Sequence, residues 1–149
     1  MRDFRKVINH QLGEILIERG IINRAKLEEA LKFQKEHKML LGEALVALKH
    51  ITEEDIVQAL TCQYGFPYLP LSNYEIPPEV LAAVPVDVCK KYCLIPIDKI
   101  GKSLTVSMSN PLNRQALEDV ESVTGCVVQV FVSTATEIIS AIKFYYENI

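Results

Sequence analysis

The sequence predicts an α+β fold, in which a tandem unit of helical hairpins precedes a small α/β unit. Three observations carry this prediction: an internal repeat in the first half, short apolar runs typical of strands in the second half, and an amphipathic helix at the end. We expect a four-helix unit at residues 1–66, then a unit with about three strands and flanking helices at residues 67–149. A chain of 149 residues is long enough for two such units that share a core.

The repeat comprises residues 11–34 and 40–63, which are two copies of one pattern offset by 29 positions. Eight of the 24 aligned positions are identical, including a Leu-Gly-Glu start, a central isoleucine and a terminal glutamine. Two unrelated amphipathic helices rarely share all of these features. The pattern therefore indicates one structural unit that occurs twice.

Each copy is predicted to form a short helix, a tight turn and a second helix. Asn23 and Thr52 are suited to cap the second helix of their copies, and Asp55 completes a capping box with Thr52. Gly20 is suited to end the first helix of copy one. Lys49 stands at the corresponding position of copy two, so we expect that turn to be built differently.

Gly13 and Gly42 occupy the same position near the start of each copy. Glycine in a helix is roughly 0.5–1 kcal/mol less favourable than alanine, so its presence requires a reason. One explanation is close helix packing, and the other is a backbone bared for a ligand or partner chain. Two like units packed together also create a pseudo-twofold surface, which suits a twofold-symmetric ligand.

The second half is predicted to follow the order α, β-β, α, β, α. Apolar runs at 93–97 and 104–108 flank a polar turn and indicate a β-hairpin, and the run at 127–132 indicates a third strand. The predicted helices cover residues 76–83, 86–92, 113–123 and 136–146. Such an order gives a small sheet with helices packed on it.

The sequence contains no recognisable catalytic constellation. Gly101-Lys102-Ser103 resembles part of a phosphate-binding loop, but Pro96 stands where the first glycine is required, and a strand follows in place of a helix. Neither His10, His37 nor His50 has a cysteine or carboxylate at a catalytic or metal-binding spacing. We therefore predict a binding module with no catalytic residues and no metal site.

Charge and composition argue against several other classes of protein. The net charge is −3 and basic residues are not clustered, which argues against a nucleic-acid partner. No apolar run approaches the ~18–20 residues needed to span a bilayer, and no secretory signal is recognisable. We therefore expect a cytoplasmic protein whose four cysteines are reduced and buried as small apolar side chains.

The repeat and its five-residue spacer resemble the tandem motif of the MshEN family. Later segments also resemble that family, namely 64–68, Val84-Pro85, Ile95-Pro96, 104–108, Asn110-Pro111 and 144–146. The family forms the N-terminal domain of type II secretion ATPases and type IV pilus assembly ATPases. The resemblance implies a non-catalytic piece of a larger, hexameric ATPase whose nucleotide-hydrolysing domains follow Ile149. A free-standing regulator with the same domain remains an alternative.

In some family members the tandem motif binds cyclic di-GMP, and each motif there begins Arg-Leu-Gly. The resemblance implies that the matching positions here would contact this ligand: Gln11, Leu12, Gly13, Gln34, Leu41, Gly42 and Gln63. Both arginines are replaced, by Gln11 and Leu40. Losing two charge-assisted contacts, each worth roughly 1.5–3 kcal/mol, predicts that cyclic di-GMP binds weakly or not at all.

The resemblance also implies a docking role. In secretion and pilus systems this domain recruits the ATPase to the cytoplasmic domain of an inner-membrane platform protein, so its association with the membrane is indirect. We expect docking to be the main function of this chain and cyclic di-GMP binding to be the alternative. A third alternative is a purely structural module for self-association.

Overall fold

The tandem repeat folds into two helical hairpins that pack against each other. The computed structural model describes residues 12–72 and 74–147. Residues 12–18 are helical (α1), followed by α2 (Arg24–His37), α3 (Leu41–Ala47) and α4 (Glu53–Tyr64). The predicted four helices are therefore confirmed, and α2 contacts α3 across the spacer.

The two copies bury equivalent side chains. Each copy contributes a leucine at its start, two apolar residues one turn later and an isoleucine in the turn, with two buried aliphatic residues on the second helix of copy one and three on that of copy two. The buried positions are Leu12, Ile15, Leu16, Ile22, Leu27 and Ala30 in copy one and Leu41, Ala44, Leu45, Ile51, Ile56, Ala59 and Leu60 in copy two. The repeat is thus a repeat of the core pattern, as apolar spacing predicts.

The turn of copy two is built like that of copy one, and the expected difference is wrong. Lys49 adopts the left-handed conformation with φ of 62°, close to the 74° of Gly20. The same backbone bond spans both turns, from the N–H of Ile21 to Leu16 O and from the N–H of His50 to Leu45 O, each at 3.0 Å. Packing of the two equivalent hairpins therefore outweighs the modest cost of a left-handed lysine.

Gly13 and Gly42 lie where the first helix of each copy meets the second. A Cβ on Gly13 would stand 2.6 Å from Cδ1 of Leu27, and a Cβ on Gly42 would stand 3.3 Å from Cδ1 of Ile56. Leu27 and Ile56 are themselves equivalent positions of the repeat. Close helix packing therefore accounts for Gly13, with a looser fit at Gly42.

The second half combines four helices with a three-stranded sheet in the described part of the chain. Its elements are α5 (Pro78–Leu81), α6 (Val86–Tyr92), β1 (Leu94–Ile100), β2 (Ser103–Met108), α7 (Arg114–Thr124), β3 (Val127–Val132) and α8 (Ala135–Tyr146). The strands lie in the order β1-β2-β3, with β1 antiparallel and β3 parallel to β2. The predicted α+β class is confirmed, and α5 is shorter than the predicted helix at 76–83 because Pro77 is extended.

The Gly101-Lys102 segment is the two-residue turn between β1 and β2, where Ile100 pairs with Ser103. Gly101 takes a positive φ of 59°, which glycine adopts readily. A strand follows Lys102, as predicted, in place of the helix whose amides would bind phosphate.

Two clusters of buried side chains meet at the junction of the halves. One cluster is drawn from the repeat and also includes Val132 at the end of β3; the other fills the space around the sheet, and Leu40 at the start of copy two packs against it. Tyr68 forms a parallel bridge with Val132 as the chain enters the second half. The division into residues 1–66 and 67–149 remains a prediction, since each cluster takes a residue from the other side of that boundary.

Three of the four cysteines are buried, as expected: Cys89, Cys93 and Cys126. Burial raises the pKa of the Cys89 thiol to about 11 and that of Cys93 to about 12, which keeps both protonated. The expectation is wrong for Cys62, which is exposed because the buried face of α4 consists of Ile56, Ala59 and Leu60.

Glu137 in the first turn of α8 holds the segment at residues 68–71, which follows the repeat, against α8. Its Oε1 accepts hydrogen bonds from the Tyr68 hydroxyl at 2.8 Å and from the Thr134 N–H at 3.1 Å, while Oε2 accepts from the Leu71 N–H at 3.1 Å. Burial alone would raise the pKa of this carboxyl. The hydrogen bonds from Thr134, Tyr68 and Leu71 outweigh burial and lower the pKa below its ordinary value of 4.5.

Gly13→Ala is expected to destabilise the protein by about 1–3 kcal/mol, because the new methyl group must displace the buried Leu27 side chain. Gly42→Ala is the matched control, since its single contact is looser and alanine is the better helix former by roughly 0.5–1 kcal/mol. Urea unfolding measures both variants. Equal unfolding free energies for the two would contradict the packing explanation of Gly13.

Glu137→Gln is expected to cost about 1–3 kcal/mol at neutral pH, because one carboxylate oxygen is lost as an acceptor. A lowered carboxyl pKa stabilises the folded state above the ordinary value of 4.5, and that stability is lost as pH falls through the folded pKa. The difference in unfolding free energy between wild type and variant should therefore shrink as the pH falls through the folded pKa of Glu137. Urea unfolding across pH tests this, with Glu118→Gln as an exposed control; a difference independent of pH would show that the carboxylate charge is irrelevant.

Candidate functional site

An open cavity of about 230 Å³ lies where the second repeat meets the sheet half. Its apolar lining includes Val46, Ile56 and Val57 of the second repeat and Ile139 of α8. Ile139 is an exposed large apolar side chain, with 44% of its surface accessible. The cavity is therefore an apolar recess between two parts of the chain that are far apart in sequence.

Part of the polar lining of the cavity comes from the ends of two parallel strands. Ser109 and Asn110 follow β2, and Ser133 and Thr134 follow β3. Because β2 and β3 run parallel, their carboxyl ends meet at one edge, which is the usual place for ligands in open sheets with helices on their faces. The N–H of Ser133 donates to Met108 O at 3.1 Å, so the two strand ends are held together.

The predicted ligand-binding positions are only partly brought together. Leu12 and Gly42, one from each copy of the repeat, line the cavity, as does Leu40. Leu41 is buried in the helical core with 1% of its surface accessible, and Gly13 packs against Leu27.

The other predicted positions do not line this cavity or lie outside the residues that the structure describes. Gln34 is half-buried in the last turn of α2 and Gln63 is exposed on α4, and neither lines the cavity. Gln11 lies outside the described residues. The cavity therefore unites Leu12 and Gly42 from the predicted set and adds side chains that the motif does not contain.

Two carboxylates give the cavity an acidic character. Glu43 follows Gly42 on α3, and Glu53 begins α4. Burial, followed by the nearby charge of Glu53, raises the pKa of Glu43 above its ordinary value. Glu53 Oε1 accepts from the Thr136 N–H and the Thr136 hydroxyl, both at 2.9 Å, so its position is fixed against α8.

The site residues that sequence reasoning missed are Glu43, Glu53, Asn110 and Ile139. Asn110 and Ile139 reach the cavity only through the tertiary fold. Glu53 could have been found from the sequence, because the 29-residue offset aligns it with Arg24 of copy one and so reveals a reversal of charge between the copies. Among the described residues, no group of three or more His, Cys, Asp or Glu side chains is arranged to hold a metal ion.

None of the helices in the described segments is long and apolar enough to cross a membrane. The MshEN domain family matches residues 64–148. The type IV pilus assembly ATPase PilB of Myxococcus xanthus is 32% identical over 136 residues, which cover 91% of this chain and 24% of PilB. PilB of Thermus thermophilus is 31% identical and covers 93% of this chain, which spans only 16% of that protein.

Solved structures show the same fold. The structure of MshE with cdg has a TM-score of 0.68 and 25% identity, and the match covers 91% of this chain and 98% of the other. The N-terminal domain of XpsE has a TM-score of 0.75 at 20% identity, covering 93% and 96% of the two chains. The chain shares its fold with MshE and with the N-terminal domain of XpsE, and it belongs to the MshEN domain family, to which it is matched over more than half its length.

Proposed function

We propose that this chain is the docking and regulatory domain of a type II secretion or type IV pilus assembly ATPase. In this role it links the cytoplasmic motor to the cytoplasmic domain of an inner-membrane platform protein. The chain spans about a quarter or less of the two pilus ATPases it resembles, so the hydrolysing domains, hexamer formation and membrane attachment belong to the proposal.

The single observation that supports docking most strongly is the open apolar cavity with its exposed Ile139. An apolar recess that reaches the surface marks a binding site more often than an ordinary stretch of surface does. The recess joins the repeat to the sheet half, so a bound partner would contact both. Such a contact gives a partner a means of fixing the domain in one orientation.

Docking predicts a stable complex between this chain and the cytoplasmic domain of the platform protein encoded with it. Size-exclusion chromatography of the mixture, followed by calorimetry, measures the complex, and the cytoplasmic domain of an unrelated inner-membrane protein is the control. Absence of a complex with every platform candidate at about 100 µM, where even weak complexes are populated, would contradict the proposal.

Cyclic di-GMP binding is the second candidate, favoured by the MshE structure with cdg, which we read as this dinucleotide. Leu12 and Gly42, from the two copies of the motif, line one cavity, as a twofold-symmetric ligand requires. Against it stands the loss of both motif arginines at Gln11 and Leu40. A dianionic ligand also gains nothing from the acidic Glu43 and Glu53.

Calorimetry with cyclic di-GMP is expected to show no binding tighter than about 100 µM for the wild-type chain. The double variant Gln11→Arg with Leu40→Arg should gain at least about 100-fold in affinity, since each restored contact is worth roughly 1.5–3 kcal/mol. Gln58→Arg, at an exposed position of α4 outside the predicted ligand positions, is the charge control. Micromolar binding by the wild-type chain would instead make it a cyclic dinucleotide receptor.

A further inference from the structure

The two copies of the repeat differ in charge at one pair of equivalent positions. In copy one, Glu14 forms a two-pronged ion pair with Arg24, whose Nη1 lies 3.0 Å from Oε1 and whose Nη2 lies 3.3 Å from Oε2. The offset of 29 places Glu43 at the position of Glu14 and Glu53 at that of Arg24. Copy two therefore holds two carboxylates where copy one holds a carboxylate and a guanidinium.

Glu43 forms no ion pair with any residue of the described segments. A half-buried carboxylate beside a like charge destabilises its own ionised form, as the raised pKa of Glu43 shows. A cation placed between Glu43 and Glu53 would remove that cost. The fold of copy one shows that this position, on the same backbone, accommodates an arginine side chain.

The lysines that lie near Glu43 interact with another carboxylate, that of Glu147. Lys90 and Lys143 share a neighbouring recess with Glu43 and Glu147. Lys90 Nζ lies 2.8 Å from Glu147 Oε1, and this pair lowers the pKa of Glu147, with Lys143 adding to the effect. Lys90 thus pairs with Glu147, and no lysine or arginine of the described segments forms an ion pair with Glu43 or Glu53.

The carboxylates adjoin apolar surface, so a free cation would satisfy only half of the site. Val46, Val57 and Ile139 offer walls for an apolar side chain. At about 230 Å³ the cavity is smaller than the roughly 300–1,000 Å³ of ordinary small-molecule pockets. It is suited to a single side chain inserted from a partner segment.

We propose that the cavity receives one apolar side chain of a partner protein segment, while a lysine or arginine next to it in that segment pairs with Glu43 and Glu53. This inference rests on the proposed docking function and specifies the chemistry of the docked segment. Apolar burial supplies affinity, and the paired charges supply selectivity and a faster association. Partner segments that are acidic or purely apolar are rejected, because they leave the two carboxylates uncompensated.

An array of overlapping 15-residue peptides from the cytoplasmic domains of the co-encoded inner-membrane platform proteins tests this proposal on the full chain. We expect the bound peptides to share an apolar residue next to a lysine or arginine. Fluorescence anisotropy then measures the best peptide against variants. Glu43→Gln should weaken binding about 5- to 10-fold and reduce its dependence on salt, and Ala47→Trp, which places a large side chain at the cavity, should abolish it.

Matched controls separate the cavity from general effects. Glu36→Gln removes an exposed charge from α2, and Ala25→Trp adds the same bulk at an exposed position of α2 that does not line the cavity. Both should bind the peptide like the wild type. Glu43→Gln should unfold at a urea concentration equal to or above that of the wild type, because it removes a half-buried charge; this shows that weaker binding is not misfolding.

The possible outcomes also distinguish this inference from the docking function. Binding of the intact platform domain that is unchanged by Glu43→Gln and Ala47→Trp would overturn the inference and leave docking in place. Selection of acidic or uncharged peptides would overturn it as well. Failure of both the peptides and the intact platform domain to bind would overturn the inference together with the docking function.

Discussion

The hydrogen bonds from Thr136 to Glu53 are the constraint on which the rest of the site depends. The N–H of Thr136 belongs to the first turn of α8, where backbone N–H groups have no partner within the helix. Glu53 supplies that partner from the first turn of α4, at 2.9 Å. Two helix starts from opposite halves are thereby fixed beside each other, and the cavity between the halves keeps its shape.

The repeat shows how one backbone supports two different surfaces. Its buried positions, its left-handed turns and its helix caps agree between the copies, because each copy must build the same hairpin. Its exposed positions are not bound by that requirement. The exchange of Arg24 for Glu53 therefore alters the surface without altering the fold. Among the described residues, copy two holds two carboxylates where copy one holds an ion pair.

Most of the fold could be predicted from local patterns. The caps Asn23 and Thr52 and the strand at 127–132 were predictable because their signals lie within a few residues of each other. The conformation of the turn at Lys49 was not predictable in this way, since packing of the whole hairpin decides it. The motif directs attention to Leu12 and Gly42, whose part in ligand binding stays a prediction. Asn110 and Ile139 reach the cavity only through the packing of the two halves, which no local pattern encodes.

A crystal structure of this domain bound to the cytoplasmic domain of the proposed platform protein tests docking at the cavity most directly. We expect an apolar partner side chain between Val57 and Ile139, with a partner lysine or arginine within ion-pair distance of Glu43. A partner seated on another surface, with the cavity unfilled, would contradict it.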